Sequence, residues 1–247
     1  MRRTTLLVVL FVFMGLAADS MAEINVLVLT GNVSQAEFPV LEMFTDVDGE
    51  KLNYTETNDA NLPGLQNADI IWLGQGEICE NGYSFDVATE NRIKSLVEAG
   101  GIVISIGQDS DPGDPCAIGW ITAPILGVES PNMSAFDIIN APEAGDLFKK
   151  PNEIEVAEFD DAWADPDDAY IMLATVNNGQ EVGIALLNHG LGYYIVTSLE
   201  NEDAAQTLIN TPIMENLIHY AVKLKSTIAV EYLGKLSTNW GEIKSTY

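Results

Sequence analysis

The sequence predicts an α/β protein, a mostly parallel sheet flanked by helices with an antiparallel hairpin extension. Three observations predict it. The run Ile102-Val103-Ile104-Ser105-Ile106 is rich in β-branched residues and does not alternate, as expected of a strand covered on both faces. From Ala68 to Ile106 the chain reads strand, helix, strand, for which a right-handed parallel crossover is the strong expectation. Between Tyr170 and Ser198, three strand-like runs are separated by Asn177-Asn178-Gly179 and Asn188-His189-Gly190-Leu191, whose Asn-Gly and His-Gly steps suit tight hairpin turns.

In chain order, Arg2-Arg3, the apolar run Leu6 to Ala18 and the small residues Ser20 and Ala22 predict a signal peptide over 1–22, cleaved after Ala22. The apolar run is short for a membrane span, and no Cys follows the cleavage site to accept a lipid. The mature chain is therefore expected to be exported, periplasmic or extracellular, with no membrane attachment once the signal is removed. One α/β domain is expected over 23–225. It opens with the strand Ile24 to Thr30, followed by a short helix within Gln35 to Phe44 with Pro39 in its first turn, and an edge-like strand from Lys51 to Thr57. Ala68 to Gly74 is the third strand. The segment Asp86 to Ala99 carries Val87, Ile93, Leu96 and Val97 at helical spacing and closes on Gly100-Gly101. Ala117 to Leu126 reads as a helix interrupted near Pro124, Ser130 to Asn152 as irregular, and Ile154 to Phe159 as a short strand. Strands over Tyr170–Val176, Glu181–Leu187 and Gly192–Ser198 then extend one sheet edge. Asp203 to Leu224 is helical, with a second helix starting at Thr211-Pro212. Residues 226–247 form a C-terminal tail whose Trp240, near Lys235 and Lys244, offers a docking or sorting segment as the alternative to a frayed end.

The formal net charge is −26, and loss of residues 1–22, with two Arg and one Asp, leaves the mature chain one unit more acidic. Such a surface repels phosphate backbones and anionic lipid, which excludes nucleic acid and bare membrane as partners. The six acidic side chains from Glu158 to Asp168 lack the Gly and closing Glu of a Ca²⁺-binding loop, so this stretch reads as a solvated acidic loop. No metal and no cofactor is expected. Cys79 and Cys116, each a few residues beyond a predicted strand in a chain bound for an oxidising compartment, are expected to form a disulfide.

Ligands of parallel sheets gather where the strands end. Strands ending at Leu73, Ile106 and Ser198 place Gln75, Glu77, Gln108, Asp109, Asp111 and Glu200 at one edge as ligand-binding candidates, for an unidentified small molecule or protein partner. Asp109 and Asp111 have an ordinary use too, capping the turn that follows. Only His189, in a predicted turn, and His219, on the last helix, offer a neutral-pH base, and neither stands beside a Ser or Cys elbow.

The order of elements from Ile24 to Leu224 resembles the class I glutamine amidotransferase-like superfamily, a flavodoxin-like sheet shared with ThuA-like proteins. Leu187 to Asn201, with Gly190-Leu191-Gly192 and the strand after it, looks like that superfamily's Gly-x-Gly hairpin, and Pro212 to Ala221 like its closing helix. The resemblance implies a nucleophilic Cys in a Gly-x-Cys-x-Gly elbow and a later His-x-Glu pair. Here Gly107-Gln108-Asp109-Ser110-Asp111 stands in the elbow region and Ser198-Leu199-Glu200 in that of the pair, so only Glu200 matches in type. Without thiolate or imidazole, glutamine hydrolysis is not expected. Catalytic residues are therefore assigned to none of these positions. The expectation is a non-catalytic binding domain; the rivals are a carboxylate-dependent hydrolase acting on carbohydrate, and an interaction module using the C-terminal tail.

Overall fold

The structure, a computed structural model, describes residues 23–31, 34–74, 85–107, 118–128, 130–160 and 162–245, with side chains described as far as residue 228. The signal segment 1–22, the candidates Gln75, Glu77, Gln108, Asp109 and Asp111, and both Cys79 and Cys116 lie outside the described residues.

Five strands form the parallel heart of the sheet: β1 (Glu23–Leu29), β3 (Glu50–Thr57), β4 (Ile70–Leu73), β5 (Ile102–Ser105) and β11 (Gly192–Thr197), in the order β3-β1-β4-β5-β11. Their apolar side chains alternate between two clusters. Val26, Val28, Ile70, Trp72, Ile102, Ile104 and Ile195 face one side with α1 (Glu37–Leu41) and α3 (Ala204–Ser245), while Leu27, Leu29, Ile71, Leu73, Val103 and Val196 face the other with α2 (Val87–Glu98). Burying each Ile, Val or Leu contributes roughly 1.5–3 kcal/mol, so both faces must be covered for the strands to stay paired. The helix α2 starts where Asp86 accepts a hydrogen bond from the Thr89 N–H, and stops at Gly100, whose φ of 100° places it in the left-handed region.

The outer elements are antiparallel. The two-residue β2 (Asp46–Val47) folds back on β3, and β10 (Glu181–His189) pairs with β11 on one side and with β9 (Tyr170–Val176) on the other. β7 (Asp137–Ile138) pairs with β9. β8 (Ala162–Ala164) meets β10 at Val182, taking up the lane that β11 leaves after Thr197, and β6 (Leu126–Val128) pairs with β8.

Four expectations are corrected. The expected helix over Ala117 to Leu126 is, among its described residues, a turn and bends leading into β6; Trp120 and Ile121 are buried and Pro124 bars a continuous helix. Ile154 to Phe159 is not a strand: only Phe159 bridges, to Met133 and Leu199. The hairpin run does not simply extend an edge, because β11 pairs in parallel with β5 and stands inside the sheet. No second helix begins at Pro212, since α3 runs through it and on to Ser245, into the segment expected as a tail. Around that proline the Thr207 and Thr211 hydroxyls donate to the carbonyls of Asp203 and Thr207, and Pro212 O accepts from Asn152 Nδ2. Further along, the Lys225 ammonium pairs with Asp69 at 2.9 Å and donates to Gly100 O, tying α3 to the edge where β4 and β5 begin.

Candidate functional site at the C-terminal edge of the sheet

Backbone hydrogen bonds from Thr30 N to Thr57 O, Gly74 N to Leu29 O and Ile106 N to Leu73 O carry the pairing to the last residues of the parallel strands. Gly74 permits the close approach of the next layer: a Cβ there would lie 2.5 Å from Ser34 Oγ and 2.8 Å from Leu29 O. β5 and β11 are neighbours with Val196 opposite Ser105, so the chain leaving at Gly107 and the turn Ser198-Leu199-Glu200 start side by side. Of the six ligand-binding candidates, Glu200 is the one among the described residues, and it stands at this edge with no exposed surface.

Ser198 is turned into the sheet. Its hydroxyl donates to Val182 O at 2.7 Å and accepts from Trp163 N at 3.3 Å. Past it, the acidic stretch is in part the solvated loop expected, with Asp165, Asp167 and Asp168 exposed, but its first residues pair with the sheet edge. Phe159 is buried and bridges Leu199; Asp160 N donates to Ser198 O, and Glu200 N to Glu158 O. Residues 158–160 thus run antiparallel to 198–200 and bring Asp160 beside Glu200. Asn210 of α3 locks the two segments together: its Oδ1 accepts from Glu158 N, and its amide nitrogen lies 2.7 Å from Glu200 O, 3.0 Å from Glu158 O and 3.1 Å from Asn201 Oδ1.

One oxygen each from Asp160, Glu200 and Glu202 lies within 4.8 Å of the others, with Asp160 half-buried and Glu202 exposed. Glu200 Oε1 accepts a long hydrogen bond from Glu202 N, whereas the buried Oε2 has no hydrogen-bond partner among the described residues. Burial, then the facing Asp160 carboxyl and the Glu202 charge, push the Glu200 pKa up from 4.5 to about 9, so that the side chain holds a proton at neutral pH.

A second buried carboxylate stands at the same edge. Glu37, at the start of α1, accepts from Trp72 Nε1 and from Asn201 Nδ2, and Asn201 is also in contact with Met214 Sδ. Neither Glu37 nor Asn201, Asn210 or Asp160 stood among the residues picked from sequence. Asn210 carried a signal, because it shares a helical face with Ile213, Met214 and Leu217, and a polar residue on an apolar stripe needs buried partners.

The two histidines stand elsewhere. His189 ends β10 with its ring 6.4 Å from that of Tyr194. His219 lines a cavity of about 470 Å³ with Asp48, Asp146, Lys150, Asn216 and Lys223, on the later turns of α3 and away from the strand ends.

No family model and no curated protein matches the sequence. Solved structures do match. A cytoplasmic protein from Salmonella typhimurium superposes with a TM-score of 0.53 at 11% identity, covering 82% of this chain and 98% of that one. PurLQS from Thermotoga maritima superposes with a TM-score of 0.52 at 14% identity, covering 82% and 99%. A glutamine amidotransferase from Thermotoga maritima gives 0.47 at 12% identity, covering 83% and 85%, which is a looser likeness. At such identities, what this chain shares with the first two is its α/β fold.

Proposed function

We propose that this protein is an exported, amidotransferase-like binding domain without glutaminase chemistry, which takes a small polar ligand or a protein partner at the C-terminal edge of its sheet around Glu200. The observation that carries the reading is Ser198. At the position where the resemblance requires an imidazole base, the chain has a hydroxyl already committed to Val182 O, beside a Glu that is buried and protonated rather than an exposed partner for a base. Such an edge can bind, but among its described residues no group stands ready to generate a thiolate or to carry its proton away. Purified protein assayed for ammonia release from glutamine should show none above background; release that disappears on Cys116→Ala would overturn the reading.

A carbohydrate hydrolase is the rival, and one feature favours it: a protonated Glu200 beside Asp160 has the form of an acid paired with a carboxylate. Against it, Glu200 has no exposed surface, and a retaining pair stands about 5–5.5 Å apart to flank a sugar. Hydrolysis of aryl glycosides that is lost in Asp160→Asn and Glu200→Gln would favour the rival.

A further inference from the structure

We propose that Asp160, Glu200 and Glu202 form a Ca²⁺ site at the C-terminal edge of the sheet. The inference rests on the reading of that edge as the binding face, and it names one thing the face would hold. Acidic clusters are common on a chain of this charge and signify nothing alone. This one differs in that Glu200 Oε2 is buried, receives no hydrogen bond among the described residues, and belongs to a carboxyl that faces those of Asp160 and Glu202. Buried polar atoms are nearly always satisfied, so an unbonded oxygen among facing carboxyls marks the place of a positive partner, a proton or a cation in its stead.

The donors decide the kind of partner. All three are carboxylates, hard oxygen ligands that suit Ca²⁺ and Mg²⁺ rather than Zn²⁺ or copper. Ca²⁺–oxygen bonds of about 2.3–2.6 Å allow two ligands of one ion to stand up to about 5 Å apart, whereas Mg²⁺ at about 2.1 Å allows only about 4.2 Å and demands a near-perfect octahedron. The cluster oxygens all lie within 4.8 Å of one another, inside the reach of Ca²⁺, whose looser geometry makes no demand for a perfect octahedron. The frame is in place before any ion arrives: Glu200 N is held by Glu158 O, Glu200 O by Asn210 Nδ2, and Asp160 N by Ser198 O. The exposed Glu202 leaves the way open to solvent, and water completes the shell of 6–8 oxygens. The net charge of −26 concentrates cations around the molecule.

The test is calorimetry on the full mature chain, stripped with chelator and titrated with Ca²⁺ alone, without any candidate ligand. Binding with a Kd on the order of 10⁻⁴–10⁻³ M is expected, the range of extracellular Ca²⁺ modules, with Mg²⁺ at least about tenfold weaker. Glu200→Gln and Asp160→Asn should each weaken Ca²⁺ by about tenfold or more while circular dichroism keeps its shape. Absence of binding overturns the proposal. So does binding unchanged in Asp160→Asn, a half-buried position where the fold is not at risk, since the ions would then belong to the general acidic surface. A null for Ca²⁺ leaves the glutamine assay untouched, and glutaminase activity would overturn the functional reading while the Ca²⁺ site stood.

Discussion

Two carboxylates, Glu37 and Glu200, are buried without exposed surface at the same sheet edge, yet their surroundings are opposite. Around Glu37 the fold supplies donors: the Trp72 indole N–H comes from β4 and the Asn201 amide from the turn after β11. Around Glu200 it supplies one long hydrogen bond from Glu202 N and two facing carboxyls, those of Asp160 and Glu202, and Oε2 accepts no hydrogen bond among the described residues. The first is a joint that welds α1 to the sheet and to the last turn. The second, the proposed site, carries a cost in stability, since each buried unsatisfied polar atom costs about 1–3 kcal/mol. Glu200 and Asn201, which bonds Glu37, are consecutive residues that Asn210 holds together, so one turn serves the joint on one side and the proposed site on the other.

The largest expected effect comes from cutting what holds both together. Asn210→Ala removes the amide that joins Glu158, Glu200 and Asn201, and leaves buried backbone groups unpaired. A loss of roughly 3–4 kcal/mol is expected in urea unfolding. A loss below about 1 kcal/mol would mean that the segments 158–160 and 198–201 hold their places without α3.

The same chemical change at the two carboxylates should then give opposite signs. Glu37→Gln replaces one accepting oxygen with a donor that faces Trp72 or Asn201, and should cost about 2 kcal/mol. Glu200→Gln, measured in chelator, should not destabilise. Equal losses at both positions would erase the contrast, and a double substitution whose effects add would show that the two groups are uncoupled despite the shared turn.

The sheet was legible in the sequence because its signal is local. Ile102 to Ser105 and Ile70 to Leu73 are short apolar runs, and strands buried on both faces admit little else. Asp86 and Gly100, which bound α2, were legible for the same reason. What escaped depends on contacts between distant segments. Pro212 is a local stop signal, overridden where Ile213, Met214 and Leu217 pack onto the sheet and two threonine hydroxyls take up nearby carbonyls. Asp160 looked like one acid among six, and only the bridge between Phe159 and Leu199, residues 40 positions apart in sequence, puts it against Glu200. Glu200 was found through a resemblance of order, and Glu37 and Asn201 offered no pattern at all, since a buried carboxylate–indole pair has no period.

The sharpest way to break the contrast is through pH, in protein stripped of divalent cations. In the folded chain the Glu200 pKa stands at about 9, against 4.5 as its ordinary value, because burial and the facing Asp160 and Glu202 disfavour the charge. A folded-state pKa above the unfolded one means that the native state binds the extra proton. Its contribution is fully present below about pH 4.5 and is lost as pH rises through about 9, so stability should fall across that window. Glu200→Gln cannot titrate, and it should flatten this part of the profile and exceed the wild type by roughly 1–2 kcal/mol at pH 8, less than the full shift implies because Glu202 opens the cluster to water. Glu37→Gln should lower the whole curve without changing its slope between these limits. Saturating Ca²⁺ should reverse the order of wild type and Glu200→Gln at pH 8, because the ion replaces the proton only where all three carboxylates are present. Thermal unfolding of the three proteins at pH 5, 7 and 8 reads every arm, and a wild-type profile as flat as that of Glu200→Gln would show that Glu200 is ionised and already satisfied, a joint like Glu37 after all.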